Sequence, residues 1–591
     1  MALVALPPLA LPASAQLQTI TTDHFRIHFP TGASGTARRV AETAEEVFAP
    51  MASAYDYYDD YSTIHILVLD NSDLLGNASA DPYANMIMIW ATNLDFELRG
   101  SHDWVRNTLT HELAHIMTLN KARKKWPFRW AMLQVSRFDT NPDIAFNFPL
   151  YHLSAPGWWS EGVAQYATHQ FGYDSWDSHR DMLLRMATLE DDLLSYDEMG
   201  SLGSRSGGFY GEWVYNQGYA LLLYIQEQYG REKVEELTHH SGAMSFDPAI
   251  RRVLGVSADE LYDDWRRFLD DHYQQMAVEI RTDGLFEGRQ LKEVNEGLLE
   301  HFPALSPDGS KVAFISSEDR DFAITYLTVY DFATGEASTL SQDYVDTRIS
   351  WSPGGDQIVY VRPKGGFNDL YIYDFETKRE RRISANLRAK DPAFSPDGER
   401  IVFVHNEDGT NNLGLVNRDG SDVVRLTNHN DATQYSGPQF SPDGQWLLFT
   451  VFRGDDKDIA IMRADSPPLP KKSQVMGAKR VGVAADLPDS VEVFPDSLAF
   501  PDVEYSGYRP LLSSRADERD AAWLADGSGF LFASDQSGIF NIYRYHLESG
   551  EVERLTNVIG GAFAPTASPE GKVVYAGYHS SDYSLYEFNL G

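Results

Sequence analysis

Phe394-Ser395-Pro396-Asp397-Gly398 is a turn between apolar strands; the run Ile401-Val402-Phe403-Val404 follows it. Proline presets φ, aspartate bonds the local backbone and glycine accepts positive φ, so the stretch closes a hairpin. Copies stand at Leu305-Ser306-Pro307-Asp308-Gly309, Trp351-Ser352-Pro353-Gly354-Gly355 and Phe440-Ser441-Pro442-Asp443-Gly444, then Trp523-Leu524-Ala525-Asp526-Gly527 and Ala567-Ser568-Pro569-Glu570-Gly571. A period of roughly 40–50 residues with several strands per copy reads as propeller blades. Six copies predict six blades across 281–591. The segment Gly288 to Val294 precedes the first copy and is expected to pair with the last blade, sealing the ring. The step from the fourth copy to the fifth is nearly doubled. Residues from about 464 to 505 read as a long insertion there, with a degenerate seventh blade as the alternative.

At 591 residues the chain exceeds what one core supports, so at least two domains are expected. A net charge of −36 repels phosphate backbones and excludes nucleic acid as a partner class. No run is long and apolar enough to span a bilayer. With no cysteine, any metal must be held by His, Asp or Glu. Residues 1–15 form a short apolar run ending Ala13-Ser14-Ala15, which reads as an export signal cleaved before Gln16 and implies the periplasm or beyond; a disordered apolar N-terminus is the alternative.

Residues 16–280 mix strands and helices. Phe25–Phe29, Thr63–Leu69 and Asn85–Trp90 read as strands, and Thr36 to Tyr55 has a helical rhythm. Further helices are expected near Trp158, Tyr210 and Ala258. His111-Glu112-Leu113-Ala114-His115 lies on a helix starting at Ser101 or Asp103, both good N-caps. Residues four apart share a helix face, so both imidazoles reach one cation with Glu112 beside it. A catalytic zinc needs three protein ligands and an open position. Glu161, in Trp158-Trp159-Ser160-Glu161-Gly162, is the expected third. Two ordinary histidines on a half-buried helix are the alternative. His152, His169, His179 and the His239-His240 pair have no ligand spacing and read as solvated or core residues.

On His111, Glu112, His115 and the W-x-x-E-G run, the first half resembles the gluzincin metallopeptidases, most of all the compact bacterial "peptidase MA-like" domains. Tyr215-Asn216-Gln217-Gly218 resembles the Tyr-x-Lys-Gly run of aminopeptidase N-type relatives, with Gln217 in place of Lys. The second half resembles TolB-like propellers. The resemblance implies a multidomain protein: an α+β gluzincin domain followed by an all-β six-bladed propeller. It also implies Tyr215 as the residue that stabilises the transition state. Two departures stand out. The stretch from Lys121 to Pro156 widens the gap between His115 and Glu161. The Gly-Ala-Met-Glu-Asn run that holds a free amino group has no counterpart, which speaks against aminopeptidase activity.

The residues themselves predict a compatible chemistry. One Zn²⁺ per chain, held by His111, His115 and Glu161, makes water a nucleophile near neutral pH. Glu112 is the expected general base. Tyr215 is expected to donate to the oxyanion, with Tyr210 and Tyr219 as substitutes and a plain core aromatic as the alternative. The Asn85–Trp90 strand, with Asn85, Met86 and Ile87, is expected to be an edge that pairs with an extended peptide; an interior strand is the alternative. The function expected is an exported zinc peptidase acting on peptides or unfolded proteins, its propeller gating or recruiting substrate or a protein partner. The competing reading is a binding or envelope-assembly protein that uses the peptidase-like domain as a scaffold.

Overall fold

The computed structural model describes residues 17–590 apart from 58–62, 74–75, 83, 94–97, 101, 126–154, 206–209, 241–245, 292–298, 319–323, 342–343, 346, 455, 466–506 and 580–581, with 120–125 as backbone. The expected signal, most of the 121–156 segment with His152, and nearly all of the 464–505 insertion lie outside the described residues. The first half runs β1 (Gln18–Thr21), β2 (Phe25–Phe29), α1 (Ser34–Ala54), β3 (Ile64–Leu69), β4 (Ala78–Asp81), β5 (Met86–Trp90) and α2 (Trp104–Lys125). It continues with α3 (Gly157–Gln170), α4 (Ser178–Leu189), α5 (Tyr210–Tyr229), α6 (Arg231–Thr238), α7 (Asp247–Leu254) and α8 (Ala258–Thr282). The strands form one sheet in the order β1-β2-β3-β5-β4, parallel at β2/β3 and β3/β5 and antiparallel at both ends.

Alternation decides the sheet's faces. Phe25, Ile27 and Phe29 of β2, Ile64, Ile66 and Val68 of β3, and Ile87 and Ile89 of β5 are buried in one core with the apolar faces of α1 and α2. The position of β5 corrects one expectation. β5 is interior, with Met86 and Ile87 paired to His65 and Ile66 on one side and to Asp81 and Ala80 on the other. Asn85 turns the chain at φ 53° and donates its amide to the Thr63 carbonyl. None of the three offers a free edge. That edge is β4, whose Ala-Ser-Ala-Asp sequence has neither the apolar alternation nor the β-branched residues that signal a strand.

The described residues of the second half form six four-stranded antiparallel sheets. Every Ser-Pro-Asp-Gly copy joins the first and second strands of a blade. Each turn glycine has positive φ, from 65° at Gly309 to 86° at Gly571. In four of the copies the aspartate accepts the N–H two residues on, as Asp397 does from Glu399. The turns also touch one another: a Cβ on Gly398 would lie 3.4 Å from Pro353 of the preceding blade. β6 (Arg289–Gln290) pairs with the final strand, Asp582–Asn589, through Gln290↔Tyr586 and Arg289↔Glu587. The ring is therefore sealed by the segment that the sequence singled out. One detail differs from expectation. Residues 466–506 fall between the third strand of blade four (Lys457–Arg463) and its fourth (Arg509–Leu512), not between two blades.

The propeller axis is crossed by side chains. The innermost strands of blades one, three, four, five and six each have a bulge, with positive φ at Phe302, Asp391, Gly437, Asp520 and Ala564. Arg348 of blade two reaches the opposite blade to pair with Asp520 and lies 4.7 Å over the Phe302 ring. Asp391 accepts the backbone N–H groups of Arg348 and Gly437, and Asp520 that of Ala564.

The halves share a core and a polar seam. Asp408, at a hairpin tip of blade three, accepts the free N–H groups of Gly35 (2.6 Å) and Thr36 (2.9 Å) at the start of α1. Arg388 donates to Asp73 at 2.7 Å. On the far side, buried Arg185 of α4 donates to the carbonyls of Ile559 and Gly560 at 2.8 Å each. One apolar cluster runs from α3, α4, α5 and α8 into blades one, five and six. Among the described residues no helix is long and apolar enough to cross a membrane.

Candidate metal centre

Asp103 caps α2, accepting the Arg106 N–H at 3.0 Å, as its position before the helix predicts. About two turns further on, His111 and His115 bring their Nε2 atoms to 3.1 Å from each other. Glu161 Oε2 lies 3.2 Å from His115 Nε2 and 3.5 Å from His111 Nε2. That oxygen is buried and without a hydrogen bond among the described residues. Three donor atoms, one from each residue, lie within 4.8 Å of one another. Two imidazoles and one buried carboxylate that meets no other polar group among the described residues fit a divalent cation of zinc's preference.

Glu161 reaches this point because α3 and α5 cross closely. A Cβ on Gly162 would stand 2.7 Å from the backbone of Gly218, and one on Gly218 only 2.3 Å from the Trp158 carbonyl. The glycines of the two motifs therefore touch. Glu161 precedes one and Tyr215 lies three residues before the other, so the crossing fixes both. Trp158 and Trp159 are fully buried against Phe246 and Tyr196, which makes the aromatic part of W-x-x-E-G an anchor for α3.

Electrostatics divide the acidic and basic roles. Burial pushes the Glu112 carboxyl up to about 7; His115 pulls it down, Glu161 adds to the push, and the Ala80 N–H of edge strand β4 pulls down again. Burial holds His111 down, to about 4. For His115 the same burial is outweighed by Glu161 and Glu112, which raise it to about 9. Glu161 is held well below the carboxylate range, burial being overcome by His115 and His111. Burial, with Glu161 adding to it, keeps the Tyr215 hydroxyl protonated far above neutral pH. Tyr215 stacks on His111 at 6.1 Å and lies under Arg99 at 4.9 Å, which Glu212 holds by two hydrogen bonds. Of the three tyrosines considered, Tyr215 alone lines the cavity beside the centre. Tyr219 is buried beside His169 and Trp176, and Tyr210 packs on Trp213.

The cavity holds about 160 Å³ and shows what sequence reasoning missed. Arg99, His102 and Arg180 line it together with His111, Glu112 and Tyr215, and so do Lys390, Asn406, Asn411, Gln434 and Lys457 of the propeller. His102 faces Asp174 (3.0 Å) and Asp177 (3.3 Å), and Arg180 donates to both aspartates. No spacing rule joins positions so far apart. His179 is a core histidine at the seam, packed on Phe540 and Phe563; burial and Arg519 push it down to about 3.

Residues 274–476 match a family model described as the TolB beta propeller domain. An uncharacterized protein of Agrobacterium fabrum is 26% identical over 150 residues, which are 24% of this chain and 50% of that protein. The chain thus spans half the length of the curated relative it matches. TolB from Acinetobacter baumannii is similar at 18% identity and a TM-score of 0.34, over 56% of this chain and 68% of that one. A putative TolB from Agrobacterium tumefaciens is also 18% identical with a TM-score of 0.34, over 51% and 93%. The tricorn protease is 15% identical over 49% of this chain and 25% of its own, with a TM-score of 0.32. The family match lies from the last turns of α8 onward, and with the sheet topology it makes the second half a TolB-like six-bladed propeller.

Proposed function

We propose that this chain is an exported zinc-dependent peptidase of gluzincin type. The observation that carries the reading is the meeting of His111 and His115 at the buried Glu161 carboxylate, with Glu112 buried alongside. Those three residues would hold the ion, which when bound supplies Lewis-acid polarisation and a water acidic enough to attack near neutral pH. Glu112, poised near 7, accepts the proton of the attacking water and returns it to the leaving amine. Tyr215 keeps its proton and donates a hydrogen bond to the oxygen that gains charge. A peptide or unfolded segment suits a cavity that is walled on two sides.

A second reading has its own support. The family match concerns the propeller, and TolB-like rings suit protein partners, so a binding or envelope-assembly protein that uses the first half as scaffold is the competing proposal. A scaffold needs neither Glu112 nor an intact ligand set. The deciding experiment combines zinc analysis with digestion of unfolded β-casein by the full-length chain and by Glu112→Gln. The peptidase reading expects about one zinc in both and cleavage by the first alone. Equal, negligible cleavage by two zinc-loaded proteins would establish the scaffold.

A further inference from the structure

The hairpin that clamps α1 also reaches the metal cavity. Its strands, Arg400–Glu407 and Thr410–Asn417, place Asn406 opposite Asn411, one pair back from the tip. The tip fits against the first half: Asp408 caps α1, and Gly409, at φ 71°, has room only for hydrogen, because a Cβ would stand 2.4 Å from the Ala91 carbonyl. Gln434 donates to the Gly409 carbonyl at 2.9 Å and fixes the tip from below. Asn406 and Asn411 are therefore held in place on the cavity wall.

Their amides are only half used. Asn406 Nδ2 donates to Asn411 Oδ1 at 2.9 Å. Asn406 Oδ1 is buried with no partner among the described residues, although the residue is only 2% exposed. The Nδ2 of Asn411 makes no hydrogen bond among them either. An unpaired buried amide oxygen is costly, and a donor from outside the fold, a water or a ligand group, satisfies it. The pair thus presents one acceptor and one donor side by side. A residue in an extended peptide points its N–H and C=O to the same side and offers the complement. The ring adds a floor. Lys390 and Ser436, also on the wall, immediately precede the bulge residues Asp391 and Gly437, which belong to the layer that Arg348 and Asp520 close across the axis.

Resting on the peptidase reading, we propose that Asn406 and Asn411 form a peptide-backbone clamp, so that blade three supplies one wall of the substrate site and determines its preference for extended segments. The absence of cysteine makes the test clean. Ser436→Cys places one thiol on the wall of full-length Glu112→Gln protein, and its maleimide labelling is followed with penta-alanine present or absent. Ser549→Cys, on an exposed outer turn, is the control. Penta-alanine slows labelling at 436 and not at 549. Asn406→Ala and Asn411→Ala each weaken that protection about fivefold, the worth of one neutral hydrogen bond. Fully N-methylated penta-alanine, which needs no protein variant and so no refolding, protects no better than buffer. Absent protection, protection indifferent to both variants, or protection by the N-methylated peptide overturns the clamp. If the peptidase reading alone is wrong, wild type fails to cleave β-casein while the 436 thiol is still protected.

Discussion

Glu112 and Glu161 are both carboxylates beside the same histidines; burial pushes both up, but only at Glu161 do His115 and His111 overcome it. Glu161 faces two imidazoles that hold it well below the carboxylate range, while burial raises Glu112 to about 7. Glu161→Ala is therefore expected to lose zinc and keep its fold, as metal analysis alongside circular dichroism will read; retained zinc removes it from the centre. Tyr215→Phe is expected to lower kcat about 100-fold with KM little changed, the signature of an oxyanion donor. His102 carries a pH dependence. Burial lowers its pKa, but hydrogen bonds and charge from Asp174 and Asp177 outweigh this and raise it to about 9. A raised folded-state value stabilises the fold fully below the unfolded value near 6.5, and the gain is lost as pH rises through 9. The gain is roughly 3 kcal/mol at most. His102→Gln should lower Tm at pH 6 and barely at pH 9.5; an equal loss at both would show that the proton contributes nothing.

At the scale of elements, the crossing of α3 and α5 does for this site what a covalent brace does elsewhere. Gly218 has no room for a methyl group, since its nearest neighbour is the Trp158 carbonyl of the facing helix. Gly218→Ala must push the helices apart, at a cost of about 1–3 kcal/mol, and carry Glu161 away from His115. Zinc affinity should fall together with Tm. Gly200→Ala, with open space around the new methyl, is the control and should change neither. Unaltered zinc binding in Gly218→Ala would mean that the crossing does not position Glu161.

For the whole molecule, one apolar core joins the two halves. Met182 and Met186 of α4 lie against Gly560 and Gly561, Arg185 is sequestered by two blade-six carbonyls, and the core of α8 continues into the ring. Calorimetry is expected to give one cooperative transition for the full chain. Two resolved transitions would mean that the seam contributes little. Arg185→Ala leaves two buried carbonyls without donors and should lower Tm by about 1–2 degrees through a loss of about 1–3 kcal/mol. Arg348 and Asp520 pair across the propeller axis, joining blade two to the opposite blade.

The sequence by itself determined what depends on neighbours along the chain. Six turns were legible because Pro, Asp and Gly act on their own backbone, and the ring's closure followed from counting strands. The His-Glu-x-x-His helix was legible because α-helical geometry fixes which residues share a face. Glu161 was found by its motif, since its place opposite the histidines depends on a helix crossing that no periodicity encodes. The edge of the sheet was misassigned for a related reason. Asn85–Trp90 has the apolar alternation of a strand, but strand order is a property of the sheet, and the true edge, Ala78–Asp81, has almost no local signal. Only the tertiary structure brought Asn406, Asn411 and Lys390 into the cavity of His111 and Glu112. Those residues lie nearly three hundred positions apart, and the docking of a hairpin tip onto a helix N-terminus joins them.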